Sequence, residues 1–125
     1  MPTSLVNADI DLSFLNEIAD GSDEFIIESI DMFLEQGPAM LTAISEAIAK
    51  QEWAVAAAEA HKLKPTLGFF GMNNSQALLQ EVELLCKTDA HVPGPIMENF
   101  NQAKELLSAN FVALTHIKEE KQAGL

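Results

Sequence analysis

The sequence predicts an all-α fold, an antiparallel up-down-up-down four-helix bundle with a short extra N-terminal helix. Apolar residues recur at helical spacing along nearly the whole chain, and no alternating β-branched run is bounded by turn residues. The links between the long periodic segments are short, which favours antiparallel neighbours. With 125 residues, 48% of them apolar, one domain around one core is expected across 1–125. Residues 1–10 read as an N-terminal extension, about 12–19 as the short helix and about 22–122 as the bundle.

The short helix is expected from Leu12 to Ala19, burying Phe14, Leu15 and Ile18 and ending at Asp20-Gly21. Ser22 has the chemistry of an N-cap, and Asp23 and Glu24 suit the positive end of the next helix. That helix carries Ile26, Ile30, Phe33, Leu41, Ile44 and Ile48 on one stripe as far as Lys50. Gly37-Pro38 falls inside it, which predicts either a kinked helix or two abutting ones. From about Glu52, the residues Trp53, Ala56, Ala60, Leu63, Leu67 and Phe70 are separated by 3, 4, 3, 4 and 3 positions, a bundle seam. Gly71 ends this helix, and Asn73, Asn74 or Ser75 can cap the next. The following helix places Leu78, Leu79, Val82, Leu85 and Cys86 inward as far as about Thr88. "DAHVPGP" reads as a loop. A last helix is expected from about Pro95 to Gln122, through Ile96, Phe100, Ala103, Leu107, Phe111, Leu114 and Ile117.

Composition removes several classes of function. Seven basic against 19 acidic residues give a net charge of −12, which repels phosphate backbones and anionic lipid, so neither nucleic acid nor membrane is an expected partner. No apolar run approaches the roughly 18 residues of a membrane span. The start "MPTSLVNADIDLS" has neither a basic opening nor an apolar core of a signal peptide. Cys86 is the single cysteine, so no internal disulfide forms, and a cytoplasmic location is expected. Cys86 itself reads as a small core residue. There is no P-loop and no G-x-G-x-x-G, hence no nucleotide site and no cofactor is expected. His91 in the loop and His116 on the last helix read as surface residues. No E-x-x-H pair supports a dinuclear metal bundle.

The chemistry concentrates in "AEAHKLKPTLGFFGM", residues 58–72. His61 follows seam residue Ala60 and so lies on the flank of the buried stripe. Its neighbours on the helix surface are Ala57, Ala58, Lys64, Pro65 and Gly68, of which only Lys64 is long. A histidine exposed on such a bare patch suits nucleophilic work under a partner's concave site, because a neutral imidazole keeps one unprotonated nitrogen that can attack phosphorus. Lys64, one turn on, can neutralise phosphoryl oxygens. If the hairpin turns at Met72, His61 lies eleven residues before it and Glu83 eleven after, at the same level. Glu83, in the polar stripe Gln76, Gln80, Glu83 and Lys87, can then accept from one ring nitrogen and leave the other free. The plainer reading is a surface histidine among helix-forming alanines, with an ordinary lysine and glutamate nearby.

At these residues the chain resembles the histidine-containing phosphotransfer (HPt) family, whose signature is approximately A-H-x-L-K-G with a glycine ten residues after the histidine. "AHKLKPTLGFFG" supplies Ala60, His61, Leu63, Lys64, Thr66, Gly68 and Gly71 in that register. The resemblance implies a phosphocarrier of a multistep phosphorelay, passing a phosphoryl group between receiver-domain aspartates. Its implied partners are response-regulator receiver domains and a sensor or hybrid histidine kinase. It would be a monomer without kinase activity, and Mg²⁺ would belong to the receiver. It further implies that His61 is the phosphoacceptor, Lys64 the supporting lysine and Glu83 the imidazole's hydrogen-bond acceptor. Docking is expected over Ala57, Ala58, Lys62, Lys64, Pro65 and Gly68. Phe69 either joins them or packs under the first helix. The departure from the signature is Pro65, where glycine is commoner; its missing N–H predicts a local bend and a freed His61 carbonyl. An HPt-like helical interaction module without phosphotransfer is the alternative.

Overall fold

A computed structural model describes residues 9–88 and 93–124. Every regular element among these residues is helical: α1 (Ser13–Ala19), α2 (Asp23–Ala49), α3 (Trp53–Phe69), α4 (Asn73–Lys87) and α5 (Pro93–Ala123). The four long helices pack in a closed ring, α2 on α3, α3 on α4, α4 on α5 and α5 on α2, with α1 against α2. No helix among the described residues is long and apolar enough to cross a membrane.

The stripes become the core. Ile26, Ile30, Phe33, Leu41, Ile44 and Ile48 of α2 are buried, as are Ala56, Ala60, Leu63 and Leu67 of α3 and Phe70 just beyond it. They meet Leu79, Val82 and Cys86 of α4 and Ile96, Phe100, Ala103, Leu107 and Leu114 of α5 in one cluster. Burial pushes the Cys86 thiol up, because the surroundings disfavour a thiolate.

Ser22 caps α2 as expected, its Oγ accepting from the Phe25 N–H at 3.2 Å. Gly37-Pro38 neither divides the helix nor ends it: α2 runs unbroken from Asp23 to Ala49. Gly37 is buried, and a Cβ there would lie 2.9 Å from a Phe111 ring carbon, so the missing side chain is the space in which α5 packs. α3 likewise runs through Pro65.

Three local expectations are corrected. In α1 only Leu15 and Ala19 are buried, while Phe14 and Ile18 are exposed, because a seven-residue helix can lay just one i,i+4 pair on the bundle. α5 begins at Pro93, so Pro93, Gly94 and Pro95 are helical; the first-turn N–H groups have no intrahelical acceptor, and proline loses nothing there. The rest of the expected loop, including His91, lies outside the described residues, as does the extension up to residue 8. Finally, Asn73 and Asn74 do not cap α4, and Ser75 does so only as a recipient. The cap comes from Asp9, which accepts from Ser75 N at 2.8 Å and from Ser75 Oγ at 3.0 Å. A carboxylate satisfies those donors better than a neutral amide and complements the positive helix end.

Asp9 also ties down α5. Asn110, fully buried, donates to Asp9 Oδ1 at 2.7 Å and accepts from Asp9 N–H at 2.9 Å. Beside this knot Asp11 N–H donates to the Phe70 carbonyl at 3.1 Å, over Gly71. Gly71 has φ +67°, and a Cβ on it would meet Asp11 O at 2.3 Å, so glycine is required twice over. Asn110→Ala should therefore cost about 1–3 kcal/mol, since Asp9 and Ser75 lose a buried partner. Urea denaturation measures it; a midpoint equal to wild type would contradict the knot's structural role.

Candidate functional site

The alanines of α3 leave its outer face low, and His61 rises from it with 69% of its side chain exposed. Ala58, Lys62 and Pro65 are exposed around it, and Lys62 pairs with Glu59 at 3.4 Å. Ala57 departs from expectation. It is 3% exposed and belongs to the core, because it sits beside Ala56 where methyl groups let neighbouring helices approach closely. Its side chain is inaccessible to a partner.

Across from His61 stands the polar stripe of α4, and each of its members bonds inward or along the stripe. Glu83 Oε2 lies 3.1 Å from His61 Nδ1 and 2.7 Å from Lys87 Nζ. Its other oxygen, Oε1, lies 2.6 Å from Lys64 Nζ, a close ion pair without the alignment of a hydrogen bond. Lys64 also donates to Gln80 Oε1. Gln76 Nε2 donates to the Lys64 carbonyl at 3.0 Å. The side-chain amide near Pro65 thus engages the carbonyl of Lys64, the residue just before the proline. Gly68 makes room for that amide, as a Cβ there would come within 3.0 Å of Gln76 Nε2.

Glu83 is almost completely buried, an unusual state for a carboxylate. Burial alone pushes its carboxyl up, but the close ammonium groups of Lys64 and Lys87 outweigh that and hold it at about 2. An ionised carboxylate can only accept, so the bond to His61 places the ring proton on Nδ1. In the neutral ring Nε2 then keeps its lone pair, on the exposed side of the helix. Lys64, by contrast, is only 16% exposed and sits between the imidazole's helix and the carboxylate.

Phe69 is half-buried and stacks edge-on against Phe14 of α1, with ring centroids 5.9 Å apart. It also lines a groove of about 450 Å³ between α2 and α3, together with Phe25, Met32, Pro65 and Phe70. Packing on α1 and facing the groove are both true of it. Gln80 and Lys87 were visible in the sequence only as members of a stripe; the i,i+4 spacing of Glu83 and Lys87 was the one signal of their pairing. Among the described residues, no three His, Cys, Asp or Glu side chains are grouped as metal ligands.

Folding stabilises the ionised form of Glu83, so its contribution is full above the ordinary carboxylate value of 4.5 and is lost as pH falls from there through about 2. The stability difference between wild type and Glu83→Gln should narrow by about 2 kcal/mol between about pH 6 and about pH 3, measured by urea denaturation. A difference independent of pH would show that Lys64 and Lys87 do not hold the carboxylate ionised.

The sequence model of the Hpt domain matches residues 28–117, from within α2 to near the end of α5. No curated protein and no solved structure matches the chain. The match covers well over half of the sequence and takes in His61, Lys64 and Glu83, and on that ground the chain belongs to the Hpt domain family.

Proposed function

We propose that this chain is a phosphocarrier of a multistep phosphorelay and that His61 carries the phosphoryl group between receiver-domain aspartates. The observation that carries this reading is the held imidazole: Nδ1 bonded to a buried, ionised Glu83 and Nε2 left on an exposed surface. In the transfer, the Nε2 lone pair attacks the phosphorus of an aspartyl phosphate. The N–P bond forms as the P–O bond to the aspartate breaks, and that electron pair leaves with the aspartate carboxylate. The ring becomes cationic while Nδ1–H stays on Glu83, whose charge stabilises it. Running the step backwards onto another receiver delivers the phosphoryl group. Lys64 is placed to exchange part of its contact with Glu83 for the phosphoryl oxygens.

The docking face in this reading comprises Ala58, Lys62, Lys64, Pro65 and Gly68. Phe69 and the apolar groove beside Pro65 extend it. Receiver domains dock there and supply the divalent metal, and a sensor or hybrid histidine kinase stands upstream. The chain acts as one domain, a cytoplasmic monomer, since self-association over α3 would cover His61, and it has no kinase activity of its own. An up-down-up-down antiparallel order of the four long helices belongs to the same reading. It is supported by their closed ring of contacts, by the three-residue connections between α2 and α3 and between α3 and α4, and by the level meeting of His61 and Glu83.

Incubation with a phosphorylated receiver domain tests the carrier. Wild type should acquire an acid-labile, alkali-stable label and His61→Gln none; stoichiometric label on His61→Gln would refute His61 as the carrier, and an unlabelled wild type would leave a helical interaction module. Glu83→Ala should remain helical by circular dichroism yet accept the phosphoryl group about tenfold more slowly, the scale of one charged hydrogen bond. An unchanged rate would remove Glu83 from the mechanism.

A further inference from the structure

Lys87 contacts the oxygen that orients the imidazole, although it lies outside the docking face. Its Nζ is 2.7 Å from Glu83 Oε2, the atom 3.1 Å from His61 Nδ1. Lys64 holds the other oxygen at 2.6 Å from the opposite helix. With one ammonium on each oxygen, the carboxylate cannot rotate or swing without breaking an ion pair. The charged groups in contact with Glu83 are thus Lys64 and, when protonated, His61 from α3, and Lys87 from its own helix. Take Lys87 away and the carboxylate is drawn toward Lys64 alone, away from Nδ1. Lys87 is 60% exposed, so burial does not fix its place; the pair with Glu83 does.

We propose that Lys87 is a positioning residue for the His61 nucleophile: by anchoring Glu83 Oε2 it holds the proton on Nδ1 and keeps the lone pair on Nε2. No proton moves through Lys87. The proton stays on Nδ1, donated to Glu83, and only the Nε2 lone pair forms a bond. The role rests on His61 being the phosphoacceptor, yet the proton's position is readable without any phosphoryl transfer.

The full chain, ¹⁵N-labelled in its imidazoles, is compared as wild type, Lys87→Met, Lys87→Arg and Lys104→Met at about pH 8.5, where imidazole is neutral. Lys104 is an exposed residue of α5 and controls for loss of one positive charge. In Lys87→Met the ratio of Nδ1–H to Nε2–H tautomer at His61 should fall about fivefold, as expected for a weakened charge-assisted hydrogen bond. The rate of phosphorylation by phosphoramidate, a small donor that needs no docking surface, should fall with it. Lys87→Arg should restore both, and Lys104→Met should match wild type. A tautomer ratio in Lys87→Met equal to wild type overturns the proposal, whatever the rates. If the ratio falls but no protein takes label at His61, Lys87 keeps its positioning role and the phosphoacceptor reading fails instead.

Discussion

A buried negative charge governs the face between α3 and α4. Leaving the Glu83 carboxylate inside the bundle without partners would cost several kcal/mol. Lys64, Lys87 and the His61 ring remove that cost by approaching from two helices at once, at 2.6, 2.7 and 3.1 Å. The same contacts fix where each side chain points. Lys64 is drawn down between the helices instead of extending into solvent, and the imidazole is turned so that one nitrogen faces in and the other out. Gln80 and Gln76 finish the arrangement by accepting from Lys64 and bonding its carbonyl. Stability and the orientation of the imidazole therefore share one origin, because the group that must be neutralised for folding is the one that holds the His61 ring.

The surrounding scaffold is built to let helices and backbones come close. Ala56, Ala57 and Ala60 bring α3 against its neighbours, Gly37 lets a phenylalanine of α5 lie on α2, and Gly71 lets the Asp11 backbone cross the α3–α4 turn. Two prolines sit inside long helices without ending them. Each removes one N–H from the ladder, a local loss that tertiary packing of a long apolar face overrides. The N-terminal segment contributes more than a covering helix: Asp9 caps α4 and, through Asn110, binds that cap to α5.

Much of this was readable in the chain itself. Apolar spacing identified the five helices and most of the core, since a period near 3.6 reports which side chains face inward whatever they meet there. Equal arms about Met72 brought His61 and Glu83 level, because each residue of a helix adds the same rise. The errors share a cause as well. Phe14, Ile18 and Ala57 were placed by local periodicity, but burial is set by how much neighbouring surface exists to cover a residue. Asn110 gave no hint of its role, as its partners Asp9 and Ser75 lie 101 and 35 positions away.

The sequence by itself determined the helices, the inward stripes and the residue types available for chemistry, because these follow from short-range periodicity and side-chain pKa. Only the tertiary structure decided that Lys87 and Lys64 grip opposite oxygens of Glu83, that Gln76 bonds the carbonyl before Pro65, and that Asp9 caps a helix far along the chain. Such contacts depend on distances of a few tenths of an ångström and on rotamers selected by the whole assembly. Beyond the i,i+4 spacing of Glu83 and Lys87, no local pattern encodes them.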